Sequence, residues 1–100
     1  MTDLDLLAHN IEKWAVVRGL DKANPRDQFL KVVEEVGEIA ASMARGKQEE
    51  LKDAIGDVFV TITILAMQNG MNINECVAAA YAEIKGRTGK MVNGVFIKYE

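Results

Sequence analysis

The chain has 100 residues, 49% hydrophobic and 27% charged, which suits one folded domain over residues 1–100 and excludes a disordered chain. A formal charge of −3 gives no support to a nucleic-acid polymer or an anionic membrane as partner. The lone Cys76 excludes an intrachain disulfide, MTDLDLLAHN lacks a secretory pattern, and the longest apolar run, Val58 to Met67, is about half a membrane span, so the cytoplasm is the expected compartment.

Residues 3 to 18 read as a first helix, with Leu4, Leu7, Ile11 and Trp14 lining one face at steps of three and four. Gly19 closes it, and Asp21 to Asn24 form a polar connection. The second helix starts where Asn24 can cap and Pro25 fits the first helical position, and it ends at Gly46. Phe29, Val33, Val36, Ala40 and Met43 make its apolar stripe, with Glu34, Glu35 and Glu38 on the other side. A third helix is expected from about Glu49 to Gln68, with Leu51, Ile55, Val58, Ile62 and Leu65 as its core stripe. Its second half, VFVTITILAM, is rich in β-branched residues and has strand character. The upstream stripe continues into it without a turn signal, and apolar residues fill every angular sector, so helix is the reading. Such a helix must be covered on all sides, by the centre of a bundle or by another copy.

The fourth helix starts near Asn72, which stands three residues before Glu75 in capping-box spacing. Val77, Ala80, Tyr81 and Ile84 continue an apolar face, and Gly86 and Gly89 break it. In the tail, Asn93-Gly94 between MV and VFI is a hairpin turn signal, for short strands that need support from the bundle. The expected fold is an all-α bundle of four helices with a short C-terminal hairpin or extended tail, completed by oligomerisation.

The chemical signal is two acidic clusters on consecutive helices: Glu34, Glu35 and Glu38, then Glu50, Asp53 and Asp57. A short connection near Gly46 makes the two helices antiparallel neighbours, so the clusters can meet across a groove. Carboxylates repel more strongly as water leaves, and a divalent cation removes that cost. With oxygen donors alone and no histidine or cysteine in either cluster, the choice falls on Mg²⁺ or Mn²⁺. The implied chemistry is metal-assisted attack of water on phosphorus. The plainer alternative is a solvated helix face, with Lys31, Lys47 and Lys52 as partners.

At these residues the chain resembles the MazG-like nucleotide pyrophosphohydrolases, an all-α family with the pattern E-E-x-x-E, a spacer, then E-x-x-D. Glu34, Glu35 and Glu38, within QFLKVVEEVGEIAASMARGK, match the first half. If Asp57 takes the final position, the preceding acidic position falls on Ala54, with Asp53 adjacent; Glu50-x-x-Asp53 fits the pattern in a second register. The tail AAYAEIKGRTGKMVNGVFIK is similar to small MazG-like proteins of phages and their bacterial hosts. The resemblance implies Mg²⁺-dependent hydrolysis of a nucleoside triphosphate between the α and β phosphates, by a homodimer or homotetramer.

Glu35, Glu38 and Asp57 are the first candidates for metal ligands, with Glu34 and Asp53 next. Glu34, Glu35 or Glu38 would orient or deprotonate the attacking water. Lys85, Arg87 and Lys90 are candidates for holding the substrate's phosphates, against the alternative that they complement a helix dipole. Trp14 could stack on a base, although its stripe favours core packing. Two readings compete with this one. The first is a non-enzymatic helical interaction domain. The second is a related pyrophosphohydrolase acting on another nucleotide phosphate ester.

Overall fold

A computed structural model describes residues 3–100. It contains helices α1 (Leu4–Val17), α2 (Pro25–Arg45), α3 (Gln48–Gln68) and α4 (Ile73–Ile84), with a 3₁₀ turn at Leu20–Lys22, and ends in strands β1 (Gly89–Val92) and β2 (Val95–Lys98). The all-α bundle with a C-terminal hairpin is therefore the architecture. Its boundaries follow from local chemistry. Asn24 Oδ1 accepts from Arg26 N at 2.8 Å and Pro25 opens α2, which Gly46 closes at φ 66°. At α4, Asn72 and Glu75 make both halves of the capping box, each at 2.8 Å.

The β-branched run Val58–Met67 lies inside α3. Its two hydroxyls bond back to the preceding turn, Thr61 Oγ1 to Val58 O at 2.9 Å and Thr63 Oγ1 to Phe59 O at 2.7 Å. Thr63 can thus be fully buried without an orphaned donor. α3 is the central element, touching α1, α2, α4 and the 3₁₀ turn.

The faces turned inward differ from those the apolar stripes predicted. α1 buries Ala8 and Ala15, whereas Leu4, Leu7 and Trp14 are exposed and Ile11 is half-buried. α2 turns Gln28, Val32, Glu35, Ile39 and Ser42 inward, and its predicted core residues Phe29, Val33, Val36, Ala40 and Met43 face out. On α3, Ile55 is exposed, while Ala54, Ile64 and Ala66 are buried. On α4 only Ile73 is buried, and Val77, Ala80, Tyr81 and Ile84 are exposed. Small side chains at the contacts let helix axes approach closely, which leaves the large apolar residues outside. The chain consequently exposes 7606 Å², against about 5,600 Å² for a compact monomer of this mass.

β1 and β2 pair antiparallel, with Met91 opposite Phe96 and Val92 opposite Val95. Asn93 and Gly94 turn the chain at φ 50° and 81°, the left-handed pair that a two-residue hairpin loop demands. The expected support from the bundle is missing: no strand residue comes within 8 Å of any helix, Cα to Cα.

Candidate metal and nucleotide site

Arg45 meets Glu50 at one end of the α2–α3 pair, and Gln28 Nε2 donates to Thr61 O at 3.0 Å further along. The two helices therefore run antiparallel, and acidic residues placed mid-helix on each come face to face. The result is a cleft of about 160 Å³ lined by Glu35, Glu38 and Ser42 from α2 and by Glu50, Asp53, Ala54 and Asp57 from α3, with Arg45 at the loop end. Its position follows from the inverted amphipathicity of α2: Glu35 lies on the face turned to α3, in register with Val32 and Ile39.

Charge is distributed unevenly along the cleft. Glu50 is neutralised by the chain's own cations, with Arg45 Nη2 at 2.9 Å and Lys47 Nζ at 3.8 Å. Deeper in, Asp57 holds its proton more tightly than an ordinary carboxyl group. Burial is the main cause, followed by the negative charge of Asp53 and a hydrogen bond with that side chain. Asp53 and Asp57 are one turn apart on the same helix, so neither can turn away from the other without leaving the cleft. That repulsion is what a cation would relieve.

The donor set of Glu35, Glu38, Asp53 and Asp57 is entirely oxygen and suits a hard divalent ion. Among the described residues, no three carboxylate, histidine or cysteine side chains are drawn together into a preformed ion cage. The carboxylates share a cleft but do not converge on one point.

Four of the predicted site residues, Glu35, Glu38, Asp53 and Asp57, are brought together here. Glu34 is not: it faces solvent and pairs with Lys31 at 3.7 Å. Ala54, at a position where the family pattern expects an acid, is buried in the cleft floor. Lys85, Arg87 and Lys90 lie outside the cleft of their own chain, at the end of α4 and on the hairpin, and Arg87 Nη2 reaches Glu83 at 3.4 Å. Trp14 is half exposed, with the Arg18 guanidinium 4.0 Å from the ring centroid. It lines a mostly apolar groove with Leu7, Ile11 and Val60, so the expected core packing is not what it does.

Two features were not read from the sequence. Arg45, at the C-terminal end of α2, clamps Glu50; its spacing of five residues across the Gly46 turn was the available signal. The second is a groove of about 760 Å³ between α1 and α3, bounded by Leu4, Leu7, Ile55 and Phe59 and meeting the acidic cleft at Asp53 and Asp57. Leu4, Leu7, Ile11 and Ile55 among its walls belong to the stripes that sequence periodicity assigned to the core.

Among the described residues, no single helix is long and apolar enough to cross a membrane; α3 and α4 reach that standard only together, across a bend of 103°.

The family model for the MazG nucleotide pyrophosphohydrolase domain matches residues 24–92, from the cap of α2 to the end of β1. The chain is also 47% identical over 70 residues to the uncharacterized 18.2 kDa protein in the rep-hol intergenic region of Haemophilus phage HP1. That alignment covers 69% of this chain and 43% of the phage protein, so the chain spans less than half of that relative's length. No solved structure matches.

Proposed function

The chain belongs to the MazG nucleotide pyrophosphohydrolase domain family, and from that membership we propose that it hydrolyses (d)NTPs between the α and β phosphates, releasing (d)NMP and pyrophosphate in a Mg²⁺-dependent reaction, with Mn²⁺ as a substitute. The observation that carries the reading is the α2–α3 cleft, which carboxylates from two helices line together. Glu35, Glu38, Asp53 and Asp57 are the residues that would hold the cation. When bound, it would polarise a phosphoryl oxygen, lower the pKa of a water and neutralise charge on the leaving group.

The protein's own side chains have separate tasks. Glu35 and Glu38 stand one turn apart on α2, so one can hold the cation while the other accepts a proton from the attacking water. Glu50 is tied to Arg45 and Lys47 at the loop end of the cleft, which leaves Glu50 the weakest of the acidic donors. Glu34 has no place at the cleft in this reading; its pairing with Lys31 assigns it to the surface. A leaving pyrophosphate demands positive charge, for which Lys85, Arg87 and Lys90 are the candidates. Trp14 and its apolar groove offer a flat surface to a base.

The exposed α2 stripe supports self-association as a homodimer or homotetramer. Phe29, Leu30, Val33, Val36 and Met43 are each at least half exposed along one helix face, an arrangement typical of an interface.

A panel of (d)NTPs incubated with Mg²⁺ and analysed by phosphate-product chromatography tests the activity. Pyrophosphate and a monophosphate are expected; orthophosphate, or no turnover across the panel, would reject it. Cleavage of another nucleotide ester with release of a monophosphate would place the chain with a different substrate. Glu38→Gln should keep the helical content and lose at least a hundredfold in kcat, because a neutral amide can neither bind the cation well nor accept a proton. Wild-type turnover in that variant would remove Glu38 from the site.

A further inference from the structure

The hairpin is the least explained part of the molecule. Two short strands alone are marginal in water, yet this pair stands clear of every helix. One face of the hairpin carries Met91 and Phe96. The Phe96 ring sits where a Cβ on Gly89 would be, which covers part of that face internally. The opposite face carries Lys90, Val92, Val95 and Ile97 in alternation, and no helix among the described residues comes near it. Val95 is 60% and Ile97 48% exposed.

Charge gives the arm a direction. From Lys85 to Lys98 the chain carries Lys85, Arg87, Lys90 and Lys98 and no acidic residue. The α1–α3 groove is lined mostly by apolar side chains, and its charged lining residues are Glu49, Asp53 and Asp57 against Lys52 alone. A largely apolar ribbon carrying basic side chains thus matches a largely apolar groove whose charged lining is mainly acidic. The α2 stripe is a poorer match for the ribbon. It is a convex helix face, which packs best against another helix.

We propose that the C-terminal hairpin is an exchanged arm: in one copy of the chain it lays its Val92–Val95–Ile97 face into the α1–α3 groove of a second copy, and carries Lys90 to the rim of that copy's acidic cleft. The inference rests on the self-association read above from the α2 stripe, and adds which segment crosses and where it seats. It accounts for a free-standing hairpin, for the uncovered Leu4, Leu7 and Ile55, and for phosphate-binding candidates that lie away from the cleft of their own chain. A second copy is the occupant because the chain exposes roughly 2,000 Å² more than a compact monomer, the scale of a stable interface. Each copy then gives one arm and receives one, a reciprocal exchange that closes at two subunits.

The test uses the whole chain with Cys76→Ser. One chain carries Ile97→Cys, the other an affinity tag and Ile55→Cys, and the two are co-expressed and oxidised. The expected product is a disulfide-linked species of two chains that retains the tag, absent when Val17→Cys, on an 82% exposed site outside the groove, replaces Ile55→Cys. In parallel, Ile97→Asp in the otherwise native chain should raise the concentration for half-dissociation at least tenfold by light scattering. Helical circular dichroism should stay unchanged, because the arm touches no helix of its own chain. An oligomer that is indifferent to Ile97→Asp and forms no link at Ile55→Cys, or links equally at Val17→Cys, overturns the exchanged arm and leaves self-association standing. A monomer at every concentration overturns both.

Discussion

Asp57 concentrates the electrostatic tension of the site. Its carboxyl is raised above the ordinary range by burial first and by Asp53 second. In the window between its unfolded value and that raised value, the folded chain keeps a proton that the unfolded chain has released. Metal-free stability therefore falls as pH rises through the window, and the contribution is lost above it. Asp57→Asn removes the titrating charge while keeping the shape. The metal-free variant should melt higher than the wild type at pH 7, with a flatter dependence on pH, and it should lose the upward Tm shift that saturating Mg²⁺ gives the wild type. A scanning-fluorimetry series over pH, with and without Mg²⁺, checks all three. A variant that melts lower than the wild type at pH 7 without metal would show that Asp57 is not under repulsion.

At the scale of elements, α1, α2 and α4 each begin on a side-chain cap, at Asp3, Asn24 and Asn72. The α4 start depends on a reciprocal pair, Asn72 Oδ1 accepting from Glu75 N and Glu75 Oε1 accepting from Asn72 N. Asn72→Ala removes one half of the box and strands a donor, so a loss of about 1 kcal/mol is expected, seen as a Tm several degrees lower. Turnover per folded molecule should be unaffected, since Asn72 lies outside the α2–α3 cleft. The hairpin turn at Asn93-Gly94 follows the same local logic, as does Gly46, whose left-handed φ of 66° lets α2 hand over to α3 within two residues. Amphipathic periodicity was the weaker guide. It located the helices but assigned the apolar face of α2 to the core, when the face turned to α3 is the one carrying Glu35 and Ser42.

That inversion has its consequence for the whole molecule. A radius of gyration of 15.9 Å exceeds the value of about 13 Å for a compact chain of this length, and large apolar side chains line the outside of three helices and the hairpin. Val33→Glu places a charge in the middle of the α2 stripe, at a residue 52% exposed in the single chain. It should leave the fold of one copy intact and shift the native mass by light scattering toward the monomer, by at least a tenfold rise in the half-dissociation concentration. An unchanged mass would exclude the α2 stripe from the interface.

The sequence alone determined what short-range chemistry controls. The helix ends at Asn24, Gly46 and Asn72, the turn at Asn93-Gly94 and the helical state of Val58–Met67 depend on residues within a few positions of each other, and all were legible. So were the acidic spacings, because a helix converts three and four residues into one face. Tertiary structure decided which face of each helix is inside, since an apolar stripe reads the same whether it meets its own chain or another copy. It also decided that Glu34 turns to Lys31 while Glu35 lines the cleft against α3, and that the basic tail stands apart from the acidic cleft. Those choices depend on which helices approach closely, and small residues such as Ala8, Ala15 and Ala54, silent in a hydrophobic pattern, set that approach.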